Sequence, residues 1–405
     1  MKKRTAIVIL FIALIGAVGG FTFLYADALR EREVLRETEE MKPDEPLAPK
    51  SDTPSVPQEV PPQRVTIAGV GDNLIHDPIY MEAEQADGSY DFSHLYEHVR
   101  DMIEPKDIAI INQESIIGGD EYGPSGYPAF NTPEDMAGYL KAVGFDAVTL
   151  ANNHILDKGP KAVEHTIAVW ETAGLFHSGA NRSEAERHEI PIMEKNGVKI
   201  ALLSYTYGTN GIEPDVPWRT IYLDDKEGIR ADIRKAKTES DFVIVAAHWG
   251  DENVMEPNEQ QRDMAKFFSD EGVDVVLGCH PHVVQPVEWQ MNAAGEKTLV
   301  IYSMGNYISA MFGLENMLGY TANFDLVKDG VTKRVENVKM IPTVTHFEGH
   351  ITSYHSACSN FKIYKLADYT DEIAARHGLN VYHGTTLTNR FFQDMFEEAV
   401  PAEFR

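Results

Sequence analysis

The stretch VDVVLGCHPHVVQ, residues 273–285, places two histidines directly after a short apolar run. Residues 273–277 are rich in β-branched side chains, as is typical of a buried β-strand. His280 and His282 follow, separated only by Pro281. Neutral imidazole is a common ligand of zinc, iron and manganese, so one interpretation is a metal-binding loop at a strand end. A loop with two solvated histidines explains this stretch alone equally well.

Strand-like and helix-like segments alternate on both sides of this stretch. The pattern predicts strands at residues 64–70, 107–111, 146–150, 241–246, 273–277 and 298–302. It predicts helices at residues 95–103, 133–143, 160–173, 226–238 and 257–271. The Asn196-Gly197 pair between two apolar runs adds a hairpin at residues 190–205. This order predicts an α/β domain with mixed sheets.

Side chains of the kinds that bind metals follow five successive predicted strands. They are Asp72, Glu114, Asn153 with His154, His248, and His280 with His282. One such residue after a strand is usually a turn or cap residue, but ligands in open α/β sheets bind beyond the carboxyl ends of strands. Five strand ends that all carry such residues therefore favour one shared site.

This ligand set suits metal ions. Two carboxylates, the amide of Asn153 and three imidazoles are enough for two divalent ions about 3.5–4 Å apart, one carboxylate bridging them. We expect one or two ions of manganese, iron or zinc. His154 is placed to act as a general acid to a leaving group. The alternatives are that His154 only orients Asn153 and that Asp72 only braces Gly71.

Two further residues are weaker candidates for the same site. Glu252, four residues after His248, either contacts substrate or caps a turn. Asn306 follows the predicted strand at residues 298–302.

Composition narrows the function classes. The 405 residues include 63 acidic and 36 basic ones, a formal net charge of -27. Nucleic-acid binding requires a basic surface, so this charge argues against a nucleic-acid partner. An anionic substrate needs a local positive site, most simply a bound cation. Two cysteines, Cys279 and Cys358, are too few for a disulfide framework.

The N-terminus has the pattern of a membrane signal. Lys2, Lys3 and Arg4 precede residues 5–25, which carry no charge. At about 1.5 Å per residue, such a helix just spans a hydrocarbon core of about 30 Å. The basic flank predicts a single-pass protein of the cell membrane with its domain extracellular. A signal peptide cleaved near Ala26-Asp27-Ala28 is the alternative.

The remaining boundaries follow from composition. Residues 1–26 are predicted to be the membrane anchor or signal peptide, and residues 27–63 a charged helix and a proline-rich spacer. Residues 64–342 are predicted to be the folded domain. Residues 343–405 are expected to pack on it, either as a lid over the site or as a cover for a sheet edge.

Six phrases resemble the calcineurin-like metallophosphoesterase superfamily, and within it the CapA/PgsA group of poly-γ-glutamate capsule biosynthesis proteins. They are VGDNLIH, NQESII, LANNHILDKG, AAHWGDE, GCHPHVVQPVE and YSMGNYI, between residues 69 and 308. The resemblance implies a four-layer αββα sandwich and a role in making, exporting or anchoring an anionic surface polymer. It implies poly-γ-glutamate or its synthase complex as partner. It also implies metal positions at Asp72, Glu114, Asn153, His248, His280 and His282, with His154 as the acid.

The chain departs from the phosphoesterase pattern at three positions. Leu74 stands where a histidine is usual, and His76 lies two residues further on. Glu114 replaces the bridging aspartate. Ile155 stands where a carboxylate is usual, with Asp157 the nearest one. The ligand set favours a metal-dependent hydrolase or transferase, whereas the missing histidine favours a non-catalytic scaffold, and both interpretations remain open.

Overall fold

The strand that begins at Gln63 lies inside the larger of two β-sheets in the computed structural model, which describes residues 61–351 and 357–405. The strands of this sheet are β1 (Gln63–Asn73), β2 (Ile108–Gln113), β3 (Ala147–Thr149), β4 (Phe176–Ser178), β11 (Asn306–Ile308), β12 (Leu318–Asp329), β13 (Thr332–Gly349) and β14 (Cys358–Lys365). Their order is β14-β13-β12-β1-β2-β3-β4, and β11 pairs with β1. The pairs from β1 to β4 are parallel and those from β1 to β14 are antiparallel.

The second sheet is also mixed. Its strands are β5 (Ile192–Lys195), β6 (Val198–Thr206), β7 (Phe242–His248), β8 (Val275–Cys279), β9 (Val287–Met291) and β10 (Lys297–Ile301), in the order β5-β6-β7-β8-β10-β9. Strands β6, β7, β8 and β10 run parallel, whereas the edge strands β5 and β9 are antiparallel to their neighbours. The predicted hairpin is β5 and β6, with the left-handed Asn196 and Gly197 at its turn.

Eight helices lie between the strands of the described chain, and three follow the last strand. They are α1 (Asp77–Ala83), α2 (Ser93–Tyr96), α3 (Arg100–Ile103), α4 (Asp135–Val143), α5 (Pro160–Thr172), α6 (Glu184–Arg187), α7 (Lys226–Glu239), α8 (Glu259–Glu271), α9 (Asp371–Ala374), α10 (Leu379–His383) and α11 (Asn389–Ala399). Helix α8 shows why the boundaries fall where they do. Asn258 and Gln261 form a capping box at its start, and the left-handed Gly272 ends it.

Side chains on the two faces of β7 lie in two different hydrophobic cores. Phe242 and Ile244 lie in the core that also contains residues of β1, whereas Val243 and Val245 lie in a second core with residues of α7 and α8. Both faces of the strand are therefore buried, which explains its continuous apolar sequence. Strand β1 also contacts β6 and β8 of the other sheet, and α5 packs on β4. The predicted four-layer αββα sandwich with two mixed sheets is confirmed.

Several elements differ from the sequence prediction. The helix predicted at residues 95–103 is two short helices, α2 and α3, separated by Glu97–Val99. Strands β4, β9 and β11 to β14 were not predicted. Two of them, β4 and β11, are only three residues long and leave no periodicity to detect.

The C-terminal residues belong to the larger sheet. The boundary predicted at residue 343 falls inside β13, and β14 forms the sheet edge beyond it. In α11, the buried Phe396 packs against Tyr320 of β12. Residues 61–405 form one compact unit.

The predicted anchor and spacer lie outside the described residues, apart from residues 61–63. Among the residues that the structure does describe, no helix combines the length and apolar character that crossing a bilayer requires.

The chain passes from one sheet to the other between β10 and β11, and this crossover leaves no room for side chains at two glycines. A Cβ at Gly71 would lie 1.8 Å from the carbonyl oxygen of Gly305, and one at Gly278 would lie 2.0 Å from that of Tyr302. The N–H of Asp72 donates to the Gly305 carbonyl at 3.1 Å. The crossover segment at residues 302–305 therefore packs closely on β8 and on β1, directly beside Asp72.

Replacing Gly71 by alanine should destabilise residues 61–405 by about 3 kcal/mol, because the added Cβ meets backbone that has little freedom to move. Urea unfolding followed by circular dichroism measures the change. Gly138→Ala is the matched control, since Gly138 is in α4 and its Cβ would meet nothing within 4 Å. That variant should gain about 0.5–1 kcal/mol from helix propensity. Equal unfolding midpoints for the two variants would contradict the close approach.

Candidate metal centre

Glu114 lies at the centre of the candidate site, directly after β2. Its carboxylate is fully buried, and neither oxygen has a hydrogen-bond partner. Its Oε1 is 3.4 Å from His248 Nε2, 3.5 Å from His282 Nε2 and 4.0 Å from His280 Nδ1. Three imidazoles from two different strand ends therefore converge on one carboxylate.

Asp72 and His282 form the second contact of the site. His282 Nδ1 is 3.1 Å from Asp72 Oδ2, and both side chains are buried. Asn112 donates to Asp72 Oδ1 at 2.7 Å, and the backbone N–H of His280 lies 3.2 Å from Asp72 Oδ2. These contacts hold the aspartate in one orientation.

Asn153 and His248 complete the set. The side-chain oxygen of Asn153 lies 2.9 Å from His248 Nε2. All six residues that the sequence predicts as metal positions are buried, and these contacts join them into one cluster. The six residues lie at or just beyond the carboxyl ends of β1, β2, β3, β7 and β8.

Burial and neighbouring charges shift the pKa values of the cluster in opposite directions. Burial raises the pKa of Glu114 well above its ordinary value, although His282 opposes this shift. Burial lowers the pKa of His248 and of His280 well below the ordinary value, so both imidazoles are neutral. Burial also acts to lower the pKa of His282, but the carboxylates of Glu114 and Asp72 raise it to about 10.

The loop that carries the two histidines is not extended. His280 has φ +97° and His282 has φ +60°, both in the left-handed region. The ring centroids are 5.8 Å apart and the ring planes are inclined by 60°. Strained backbone at two successive candidate ligands is typical of a functional site.

The residues fit a divalent metal ion. Ligand atoms of Glu114, His280 and His282 all lie within 4.8 Å of one another, so these three side chains could hold one ion. His280 Nδ1, like the Glu114 oxygens, is buried without a hydrogen-bond partner. A cation there would satisfy these atoms and remove the cost of burying them unpaired. Imidazole with carboxylate suits zinc, iron or manganese.

His154 contacts Asp157. Its Nδ1 lies 2.7 Å from Asp157 Oδ2, and its ring meets Phe130 edge to face at 4.6 Å. Asp157 therefore orients the ring of His154. Asn210 lies within 3.4 Å of both Asn153 and His154, which places His154 at the border of the cluster.

His76 also contacts Phe130 edge to face. Its ring centroid is 5.2 Å from that of Phe130, and its Nδ1 lies 3.2 Å from the Leu74 carbonyl oxygen and 3.3 Å from the N–H of Ala310. Within the described chain, His76 is not part of the group formed by Glu114, His280 and His282.

The two weaker candidates occupy different places. Asn306 is buried, and its side-chain oxygen lies 3.0 Å from His282 Nδ1, so it helps to orient that ring. Glu252 is exposed, and its charge raises the pKa of Glu114 and of His282. It therefore faces the cluster from the solvent side.

Sequence analysis missed Tyr207, which directly follows β6. Its ring centroid is 4.4 Å from that of His280, and its backbone N–H donates to the His248 carbonyl at 2.9 Å. Tyr207 is 37% exposed, so it is the part of this ring stack that a substrate can reach. Tyr207 could have been found from the sequence, because it lies at the carboxyl end of a strand, as the candidate metal ligands do. Strand β6 is parallel to β7, and the stretch TYGTN at residues 206–210 includes its last residue.

Comparison with known proteins gives a family match and several relatives. The family described as "Bacterial capsule synthesis protein PGA_cap" matches residues 66–311, more than half of the chain. The PGA biosynthesis protein CapA of Bacillus subtilis (strain 168) is 32% identical over 179 residues, which cover 44% of this chain and 46% of that protein. The capsule biosynthesis protein CapA of Bacillus anthracis is 30% identical over 190 residues, 43% of each chain. The chain thus spans less than half the length of either CapA protein.

Among solved structures, a putative 5'-nucleotidase from Staphylococcus aureus in complex with alpha-ketoglutarate is similar over 69% of this chain and 54% of its own, with 15% identity and a TM-score of 0.44.

Replacing His280 or His282 by asparagine should remove bound metal from the purified protein, because each change deletes one imidazole. Asparagine tolerates the left-handed backbone at both positions, so the fold should persist. Metal content by mass spectrometry after dialysis against manganese or zinc measures the loss. His165→Asn is the control, because His165 is a partly exposed residue of α5 outside the candidate site. Unchanged stoichiometry in the two site variants would identify the stretch at residues 273–285 as a loop that binds no metal.

Proposed function

This chain belongs to the bacterial capsule synthesis protein family PGA_cap, and from that premise we propose that it is a membrane-anchored, extracytoplasmic protein of poly-γ-glutamate capsule biosynthesis. We further propose that it is a metal-dependent hydrolase or transferase. Its substrate is an anionic polymer or a phosphoester. Its partners are poly-γ-glutamate or the synthase complex.

The observation that carries the enzymatic proposal is the state of Glu114. A fully buried carboxylate without a hydrogen bond on either oxygen, within 4.0 Å of three imidazoles, is costly unless a cation binds there. An arrangement maintained only for stability would satisfy those oxygens with N–H or O–H donors. The cluster therefore supports a resident divalent ion.

Residues of the chain would hold this ion and exclude water around it. Glu114, His280 and His282 supply the three closest ligand atoms, and Asp72, His248 and Asn153 surround them. A bound divalent ion supplies Lewis-acid chemistry, polarising a phosphoryl or carbonyl oxygen of the substrate. The neutral imidazoles of His248 and His280 are in the protonation state that metal binding needs.

His154 supplies the proton in this proposal. Asp157 contacts Nδ1 of the ring, so Nε2 is the nitrogen left to donate a proton to a leaving group. Phe130 packs against the ring and limits its movement. His154 is therefore positioned without being a metal ligand itself.

A non-catalytic scaffold that binds the polymer or the synthase is the second candidate function, and one observation favours it. Leu74 occupies the position of a usual metal-binding histidine, and it is buried. His76, the nearest substitute, packs on Phe130 and hydrogen-bonds near β11. One of two metal positions is thereby weakened.

Turnover by the manganese- or zinc-loaded domain decides between the two functions. If His154 is a general acid, His154→Gln should lower kcat for an alkyl phosphodiester or a γ-glutamyl oligomer by about 10²–10⁴-fold. A p-nitrophenyl ester should lose much less, because its leaving group needs no proton. Metal content should remain unchanged, and His165→Gln is the control. Full metal occupancy without turnover of any of these substrates would establish the scaffold instead.

The proposed topology predicts that residues 64–405 lie outside the cell membrane, since Lys2, Lys3 and Arg4 hold the N-terminus inside. Protease added to intact protoplasts should therefore degrade the domain, while a cytoplasmic marker enzyme stays intact. Complete protection of the domain, followed by degradation after detergent lysis, would place it in the cytoplasm.

A further inference from the structure

A second concave surface lies at the end of the smaller sheet opposite the candidate metal centre. We call it the basic groove and define it by Lys237, Lys297, Lys333, Arg334 and Trp289. It encloses about 470 Å³ between the beginnings of β8 and β10 and the hairpin that joins β12 to β13. His280 at the metal centre follows Asp274 at the groove by six positions, which is about 20 Å along an extended strand.

The charge of this groove differs in sign from that of the whole chain. Its lining includes four cationic side chains but only two acidic ones, Asp274 and Glu296, in a chain of net charge -27. A positive concave surface on an acidic protein concentrates anions locally and repels cations. Chance placement of exposed lysines is a poor explanation, because the chain has nearly twice as many acidic as basic residues.

Two of the ammonium groups are available to a ligand. Lys237 Nζ donates to the Glu271 backbone carbonyl at 2.9 Å, and Lys297 Nζ lies over the Trp289 ring, 6.0 Å from its centroid. Both side chains are exposed, and neither has a carboxylate partner among the ion pairs of the described residues. Binding an anion there breaks no existing salt bridge.

The other two cations are held in place. Lys333 Nζ lies 2.7 Å from Oδ2 of Asp274, which is only 8% exposed and also accepts a hydrogen bond from the Val243 N–H at 2.8 Å. Arg334 pairs with Glu336 at 2.8 Å. The buried aspartate thus fixes the hairpin over the sheet and keeps the groove in one shape.

We propose that the basic groove binds a linear polycarboxylate, independently of the metal centre. Its free cations are lysines, which act as point charges, whereas phosphate sites favour the bidentate fork of arginine. The partly buried Trp289 with Val273 and Val335 forms an apolar floor between the charges. Such a floor suits a polymer with carboxylates on short methylene stems, because the stems pack on the ring while the carboxylates reach the ammonium groups.

This inference goes beyond the proposed function. The groove needs neither metal nor catalysis, and it holds a polymer chain some distance from the metal centre. Several weak contacts along one polymer, at the groove and at the metal centre, raise the effective concentration of the chain at the second site.

The experiment measures binding of poly-γ-glutamate to the full chain in mild detergent with EDTA, so that the metal centre contributes nothing. Titration calorimetry at several salt concentrations should detect binding that weakens as salt rises, because the charges are exposed. The double variant Lys237→Glu/Lys297→Glu should lose about tenfold or more in affinity. Circular dichroism checks that the wild type and the variant remain folded in EDTA.

Lys161→Glu/Lys339→Glu is the matched control, since it makes the same change in net charge at two exposed lysines outside the groove. It should change the affinity less than about twofold. Equal losses of affinity in the two double variants would contradict binding at the basic groove. So would the absence of binding by the wild type in EDTA. Tighter binding of polyphosphate than of poly-γ-glutamate would overturn the polycarboxylate assignment. If the protein binds poly-γ-glutamate in EDTA but shows no turnover with metal, the binding proposal stands. Only the proposed enzymatic function is then contradicted.

Discussion

The contact on which the site depends is between backbone and backbone, where the chain crosses from the smaller sheet to the larger. Gly71 lies against the Gly305 carbonyl and Gly278 against that of Tyr302, with no space for a side chain at either position. Asp72 follows the first glycine, and His280 follows the second by two residues. The backbone N–H of His280 reaches the Asp72 carboxylate because the same crossover segment packs on the chain beside both residues. A displacement of either sheet would separate ligands that come from different halves of the fold.

The carboxylate of Glu114 is poorly stabilised by the residues around it. Its oxygens are buried and unpaired, and the imidazoles nearest to it are neutral apart from that of His282. The two histidines of the HPH stretch also occupy left-handed backbone conformations, which usually cost of order 1–3 kcal/mol each. A fold selected only for stability would not combine these costs. A divalent cation would offset the cost of burying the Glu114 carboxylate. Binding that cation would also explain why the two histidines keep left-handed backbone conformations.

The two proposed sites lie at opposite ends of the smaller sheet. The carboxyl ends of the parallel strands bring together acids, amides and imidazoles, while the opposite end of the smaller sheet carries the basic groove. Parallel strands make this division natural, since all their carboxyl ends lie on one side. An acidic protein that handles an acidic polymer must overcome mutual repulsion, and a metal centre and a lysine-lined groove are two independent ways of doing so.

Much of the architecture could be deduced before any coordinates. The alternation of apolar runs identified β1, β2, β3, β7, β8 and β10, because both faces of these strands are buried and their sequences are continuously apolar. It also identified the longer helices α4, α5, α7 and α8. The strand-end residues Asp72, Glu114, Asn153, His248, His280 and His282 followed from the same pattern. Alternation of strands and helices predicts parallel strands, and it therefore predicts that these residues lie at the carboxyl ends of the sheets.

Other features arise only when the two sheets meet. The left-handed conformations of His280 and His282, the contact between Tyr207 and His280, and the orientation of His154 by Asp157 depend on neighbours remote in sequence or on loop geometry without periodicity. The same is true of β13 and β14, whose residues complete the larger sheet although the sequence suggested a separate extension from residue 343. The basic groove joins Lys237, Lys297 and Lys333 from three segments that no local pattern relates. Local periodicity specifies the elements and their ends, whereas side-chain orientation, backbone strain and surface charge are set by packing between distant segments.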